Sequence, residues 1–321
     1  MDEPITVLHA SIAPSPAPSW TVAPTPAVPH RVGPYSILRE LGAGGMGVVY
    51  AAYHGGLDRC VALKLARYAA NSAAGRRALL NEAQALARLS HPNIVQIHEV
   101  GEHEERMYVA MELVQGVTLA EWQRAPGRGL RERIDAYRQV ALGLRAVHDA
   151  GLVHRDFKPA NAIVGFDGRV RVLDFGLART SPRADRASAR APARWPSSPT
   201  EAASGTPGYM SPEQYAGREL DARSDVFSLC AALWEALYDD RPFTGETYAE
   251  LHASVIASSP PRIPARSEVP ERLGRVLLRG LAVEPAERWA TLAPVIAALS
   301  LDPASDPSVA RPERAIFLAV S

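Results

Sequence analysis

Apolar and polar positions settle into a strand-like pattern at Tyr35. The runs YSILREL, GVVYAAYH and CVALKLA are rich in β-branched and aromatic residues and are separated by a glycine cluster at 42–47 and by Gly55-Gly56. Such runs between turn signals predict a three-stranded antiparallel meander. Over residues 75 to 89 the period changes, with Leu79, Leu80, Ala83, Leu86 and Ala87 at helical spacing. Two more strand-like runs cover 94 to 100 and 107 to 113. Beyond Gly116 the signals are mainly helical. Ile134, Tyr137, Ala141, Leu144 and His148 share one face of a helix over 131–149, and Gly151 supplies the stop. Further helices are predicted at 222–238, 246–257, 270–281 and 289–299. The pattern is that of an α+β chain, a small sheet with one helix followed by a larger, mostly helical part.

The flanks read differently. Residues 1 to 34 hold eight prolines, with the run APSPAPSWTVAPTPAVP, and offer little to bury, so they are expected to form a disordered arm. Such an arm is either an inert extension or a docking segment for a proline-binding partner. The stretch 180–204, rich in Ser, Pro, Ala and Arg, predicts a long loop. Residues 301–321 form a short tail, and no tandem repeat is visible.

Composition narrows the classes. A chain of 321 residues with 47% apolar side chains can bury a sizeable core. Basic and acidic residues balance at 35 each, so no net field favours nucleic acid or an anionic membrane as partner. Cys60 and Cys230 are far apart and belong to no CxxC or Cys/His cluster, which argues against a disulfide framework or a zinc site and fits a reducing cytoplasm. No signal peptide is apparent, and no window of 18 apolar residues suggests a membrane span. Of the basic residues only Lys64 and Lys158 are lysines. In so arginine-rich a chain, a lysine suggests a place where a compact point charge serves better than the guanidinium fork.

Gly42, Gly44 and Gly47 spell GxGxxG, a pattern shared by nucleotide-binding loops and ordinary hairpin turns. A dinucleotide fold places a helix after these glycines, whereas here Val48-Val49-Tyr50 continues as a strand. The loop therefore joins two strands, and its glycines allow backbone N–H groups to lie close over phosphates. The absence of any Gly-Lys-[Ser/Thr] excludes a Walker P-loop.

GxGxxGxV at 42–49, VALK at 61–64, HRDFKPAN at 154–161, DFG at 174–176 and SPE at 211–213 occur in this order. Together they resemble the signature set of the eukaryotic-like (Hanks-type) serine/threonine protein kinases of bacteria. The resemblance covers about residues 35 to 299. It implies a bilobal protein-kinase fold with domain bounds 35–300, an N-lobe at 35–113 and a C-lobe at 116–300. It also implies an enzyme that transfers the γ-phosphoryl group of ATP to Ser/Thr hydroxyls of proteins, with ATP and Mg2+ as cofactors.

Residue by residue, the resemblance implies that Lys64 holds the α- and β-phosphates. Its carboxylate partner is expected to be Glu82, the only acidic residue between Lys64 and His91. Asp156 would orient the substrate hydroxyl and Lys158 lie near the γ-phosphate, while Asn161 and Asp174 hold magnesium. By the same resemblance Leu41, Gly42, Ala43, Gly44, Gly45 and Gly47 cover the nucleotide. Val49, Ala62, Met111 and Ile163 would enclose the adenine, and Glu112 to Val114 form the hinge that reads it.

Scaffold roles follow as well: a buried Glu213–Arg288 bridge, Asp225 bonded to the catalytic-loop backbone, and an apolar column of His154, Phe175, Leu86 and Ile97. Arg155, next to the base, implies activation by loop phosphorylation, with Arg179 as a second cation and Thr200 as first candidate site; Ser197, Ser198 and Ser204 compete. Lys158 and the segment Gly205 to Tyr209 point to the serine/threonine class, and self-association would permit autophosphorylation. The competing readings are a pseudokinase, a small-molecule kinase and a scaffold. The first expects a missing Lys, Asp or Asn, the second a missing SPE segment, and the third leaves the site unexplained.

Overall fold

The computed structural model describes residues 29–44, 47–66, 73–174, 207–257, 261–264 and 268–300. The strands are β1 (Arg31–Val32), β2 (Tyr35–Gly44), β3 (Gly47–His54), β4 (Arg59–Ala66), β5 (Ile97–His103) and β6 (Arg106–Glu112), forming one antiparallel sheet in the order β1-β2-β3-β4-β6-β5. β1 lies inside the stretch expected to be a disordered arm: Val32 pairs with Tyr35 and is fully buried, so the folded part starts a few residues earlier than composition suggests.

The strict alternation of the strands sorts their side chains onto two faces. Tyr50, Val61, Leu63, Leu65, Tyr108 and Ala110 form the small core of this lobe. The residues between them, Val49, Ala62, Val109 and Met111, face the other way and join the large core beneath. Lys64 stands opposite Val49 in the β3–β4 register and shares this second face, so register alone aims its ammonium into the cleft. The hydroxyls of Tyr35 and Tyr108 both donate to Glu99, at 2.6 and 2.7 Å, which ties the first strands to the far edge of the sheet.

Helix α1 (Ala73–Ala87) follows β4 and buries Ala83 and Leu86. After β6 the chain crosses residues 113–115 to a second sheet, β7 (Gly116–Thr118), β8 (Ala162–Gly165) and β9 (Val170–Val172). Between β7 and β8 lie α2 (Leu119–Arg124) and α3 (Leu130–Asp149). Gly151 adopts φ +74° just past α3, the left-handed conformation that ends it. The remaining helices are α4 (Pro212–Tyr215), α5 (Ala222–Tyr238), α6 (Tyr248–Ile256), α7 (Glu271–Gly280) and α8 (Ala293–Ser300). α5 is apolar nearly all round and correspondingly buried, from Ser224 to Trp234.

Two helix expectations needed correction. The predicted elements lack α2, although the Thr118 hydroxyl accepts a hydrogen bond from the Glu121 N–H while the Glu121 carboxylate accepts one from the Thr118 N–H, a complete capping box. The last helix begins at Ala293 rather than 289, because Arg288 and Trp289 are drawn out of helical geometry. Arg288 reaches Glu213, and the Trp289 indole donates to the Val276 carbonyl at 3.0 Å. Among the described residues no helix is long and apolar enough to cross a membrane.

Candidate active site

The glycine loop is a hairpin between β2 and β3, with Gly42 opposite Val49 and Gly44 opposite Gly47. Leu41, Gly42, Ala43 and Gly44 lie at its exposed tip, and Gly45 lies outside the described residues. A side chain at Gly47 would strike the Leu65 carbonyl, so glycine is required for the loop to lie this close to β4. Beneath it, Ala62 pairs with Met111 across the β4–β6 register; both are buried, and the next residues, Glu112 to Val114, connect the two lobes. Ile163 lies on β8 opposite Arg171. Arg171 in turn reaches Glu112 at 3.2 Å and so ties the connection to the second sheet.

The catalytic-loop residues converge through backbone anchors. The side chain of Asp225, at the start of α5, accepts from the His154 and Arg155 N–H groups at 2.7 and 2.8 Å, and His148 Nε2 lies 2.8 Å from the same carboxylate. Asp156 is buried and lies 3.9 Å from the Lys158 ammonium. Asn161 donates through Nδ2 to the Asp156 carbonyl at 2.8 Å, leaving its amide oxygen as the acceptor end. Its backbone carbonyl receives the Leu173 N–H at 2.8 Å, which brings Asp174 alongside. Arg155 and Asp174 both have positive φ, +65° and +51°; for non-glycine residues each costs roughly 1–3 kcal/mol and marks a site held by its surroundings.

The charged partners differ from expectation. Lys64 bonds Asp174 at 2.8 Å, and Glu82 bonds Arg155 at 3.2 Å; the Lys64–Glu82 pair is not formed. Two cations and two carboxylates meet in the cleft, and this choice of partners still leaves each half-buried charge compensated. Burial pushes the Glu82 carboxyl above its usual range, with the Arg155 charge opposing that rise. Arg155 is therefore already engaged, and Arg179 and Thr200, its expected partners in regulation, lie outside the described residues, as do Phe175 and Gly205. Leu86, Ile97 and His154, the remaining members of the expected column, are buried.

The supporting bridge is present as expected. Arg288 Nη2 lies 2.7 Å from Glu213 Oε2 and Nη1 2.8 Å from Oε1, with Ser224 donating to the same carboxylate at 2.6 Å. Burial alone would raise the Glu213 carboxyl, but the Arg288 hydrogen bonds and charge outweigh it and hold it low. One anchor had no sequence signal: the Gln214 amide donates to the Arg155 carbonyl at 2.7 Å, linking the SPE segment to the catalytic loop. Tyr209 donates to Glu235 at 2.5 Å and its carbonyl accepts from Ser228, which fixes the end of the segment that follows the loop.

The donor set suits magnesium. Asn161 and Asp174 offer one amide and one carboxylate oxygen on adjoining elements, few protein ligands, as expected for an ion that keeps waters and shares nucleotide phosphates. Among the described residues no cluster of three or more His, Cys, Asp or Glu could form a protein-only metal cage.

Comparison with known proteins agrees with this geometry. Residues 35–297 match the protein kinase domain family, and the chain belongs to it. Curated relatives include the tyrosine-protein kinase MasK of Myxococcus xanthus, 34% identical over 81% of this chain and 41% of its own length. Another is the serine/threonine-protein kinase PknD of Mycobacterium tuberculosis, 35% identical over 82% of this chain and 39% of its own. The chain thus spans about two fifths of the length of these relatives. Among solved structures, the PknI kinase domain of M. tuberculosis is 27% identical and superposes with a TM-score of 0.64, covering 84% of this chain and 96% of that one.

Proposed function

We propose that this chain is an active serine/threonine protein kinase that transfers the γ-phosphoryl group of ATP to protein hydroxyls. The observation that carries the reading is the 2.8 Å contact of Lys64 with Asp174, which draws residues 110 positions apart to one spot in the cleft, on the element adjoining Asn161. In this reading Lys64 grips the nucleotide phosphates, Asn161 and Asp174 hold magnesium, Asp156 orients the attacking hydroxyl, and Lys158 offsets charge on the transferred group. Bound magnesium would neutralise phosphate charge. The chain's own residues supply position and field. A missing Lys, Asp or Asn would favour a pseudokinase, and all are present.

A tyrosine-directed activity is the second reading, favoured by the name of the relative MasK. Against it stand Lys158, two residues beyond Asp156, and the serine/threonine class of relatives such as PknD. The proposal includes a cytoplasmic setting, supported by the free thiols of Cys60 and Cys230, and self-association for autophosphorylation. The test is incubation with magnesium and γ-labelled ATP, alone and with a generic basic protein, beside Lys64→Met and Asp156→Asn. Label on serine or threonine that both variants lose is the expected result. Label on tyrosine would move the assignment to the second reading, and no label despite nucleotide binding would defeat both.

A further inference from the structure

Outside the catalytic cleft, the second sheet carries a cavity of about 530 Å³. Val117, Val164 and Val170 are cross-strand neighbours and all line it, whereas Ile163, the neighbour of Val164 along β8, points to the opposite face. The cavity therefore lies on the far side of the sheet from the nucleotide. Trp122 of α2 and Phe166 of the β8–β9 turn line it as well. Phe166 is 80% exposed, the most exposed large apolar side chain among the described residues, and Val117 beside it is 41% exposed. A cavity with an aromatic and an aliphatic residue left in water at its mouth offers adjoining apolar surface that a ligand can cover.

Its charge narrows the ligand. The rim residues are matched internally: Arg128 pairs with Glu132 at 3.3 Å and stacks over Trp122, and Asp135 pairs with Arg138 at 2.7 Å. Such a rim offers little attraction to a strongly charged peptide. The Trp122 indole N–H has no hydrogen-bond partner among the described residues and is available to a carbonyl. Aromatic surface, a spare donor and a neutral rim suit a proline-rich segment, which presents flat apolar rings and carbonyls whose N–H partners proline has removed.

This chain contains one such segment. Residues 4–30 include APSPAPSWTVAPTPAVP and not one Asp, Glu, Lys or Arg. The described chain begins at Pro29 and enters β1 beside Gly33, which packs against Tyr108. From Tyr108 to Val117 at the cavity is nine residues, at most roughly 32 Å of chain, and the ten residues from 20 to 29 span about 31 Å as polyproline II, so they serve as the tether that lets residues 13–19 reach it. A tether of this reach raises the local concentration of the segment to roughly millimolar, enough for a weak ligand. We infer that the proline-rich segment of residues 13–19, tethered by residues 20–29, docks in the cavity bounded by Val117, Trp122 and Phe166 of its own kinase domain.

The full chain tests this with a photoreactive benzophenone amino acid in place of Trp20, irradiated and mapped by mass spectrometry. The expected adducts fall on residues 117–139 and 164–170 of the same molecule. Phe166→Ser should lower their yield about tenfold, an exposed position where the change leaves the core alone. Val117→Ser serves as the second variant, and a synthetic peptide of residues 11–30 should compete. Adducts scattered over the surface, or a yield unchanged in both variants, would overturn the inference. Adducts found only between two molecules would replace it with docking by the arm of a second copy.

Discussion

Glu82 on α1 is held by Arg155 of the catalytic loop at 3.2 Å, and this contact occupies the carboxylate expected to steady Lys64. Lys64 meanwhile neutralises Asp174, the residue assigned to magnesium. Asp174 would hold magnesium through its carboxylate, of which Lys64 contacts Oδ1, and Glu82 is the carboxylate that would take up the Lys64 ammonium if that contact were given up. A loop phosphate that recruits Arg155 would free Glu82 at the same time. Glu82→Gln should therefore lower kcat/KM by about 10²-fold, an effect of roughly 2.7 kcal/mol on the transition state. Steady-state kinetics on the purified protein checks this; an unchanged value would remove Glu82 from the site.

The same carboxyl carries a pH signature. Burial raises its folded pKa above the ordinary 4.5, so the folded protein holds the proton more tightly than the unfolded chain. Its stabilising contribution is then fully present below 4.5 and is lost as the pH rises through the folded value. Glu82→Gln has no such dependence. Its melting temperature relative to wild type should climb between pH 4 and 7, which a set of thermal melts over that range measures; a flat difference would contradict the environment assigned to Glu82.

Glu213 has the opposite sign. Its folded pKa lies below 4.5, so the bridge to Arg288 stabilises fully above that value and is lost as the pH falls through the folded one. Removing one partner leaves a buried charge alone, at a cost of about 3–5 kcal/mol. Glu213→Ala should thus melt roughly 6–20 °C lower at neutral pH, given about 2–4 °C per kcal/mol for a domain of this size. Glu213→Gln combined with Arg288→Met should recover part of the loss and melt with a weaker acid dependence.

Much of this site was legible through the ordered motifs that carry the family resemblance, and register then aims the residues they name. Lys64 points into the cleft by strand alternation, and Asp156, Asn161 and Asp174 sit at fixed offsets on short elements whose ends are pinned by Asp225 and by the Asn161–Leu173 backbone bond. Partner choice was not legible. Glu82 and Asp174 are both carboxylates, and which of them meets Lys64 depends on how α1 packs, a tertiary matter that spacing does not encode. The α2 capping box stands in the sequence as Thr118-Leu-Ala-Glu121, but the helix is too short to show a period. The shortened start of α8 follows from Arg288 serving a residue 75 positions away.

Asp225 joins three elements through one carboxylate, and that is its vulnerability. Asp225→Asn keeps the shape but replaces one acceptor oxygen with an NH2 group, which then faces either the His154 N–H at the Oδ2 position or the Arg155 N–H at the Oδ1 position. A buried donor left facing donors costs about 1–3 kcal/mol. The loop bearing Asp156 should shift, so kcat should fall more than the KM for ATP changes. Kinetics and chemical unfolding on one preparation separate the two effects.

The last prediction concerns Cys230 on α5. Its side chain is fully buried on α5, and burial pushes the thiol up to about 12, so it packs as a small apolar group rather than a nucleophile. Opposite it on α7 is Gly280, where an added Cβ would collide with the Cys230 sulfur. The Cys230 sulfur thus fills the space that a side chain at position 280 would take. Gly280→Ala alone should overpack the contact and cost about 1–3 kcal/mol, while Cys230→Gly alone opens a small cavity. The double substitution returns the missing volume from the other side, so its loss should be smaller than the sum of the two singles by more than about 0.5 kcal/mol. Denaturant unfolding of the four proteins closes the cycle. Simple additivity would mean that the helices adjust their spacing instead of sharing one filled contact.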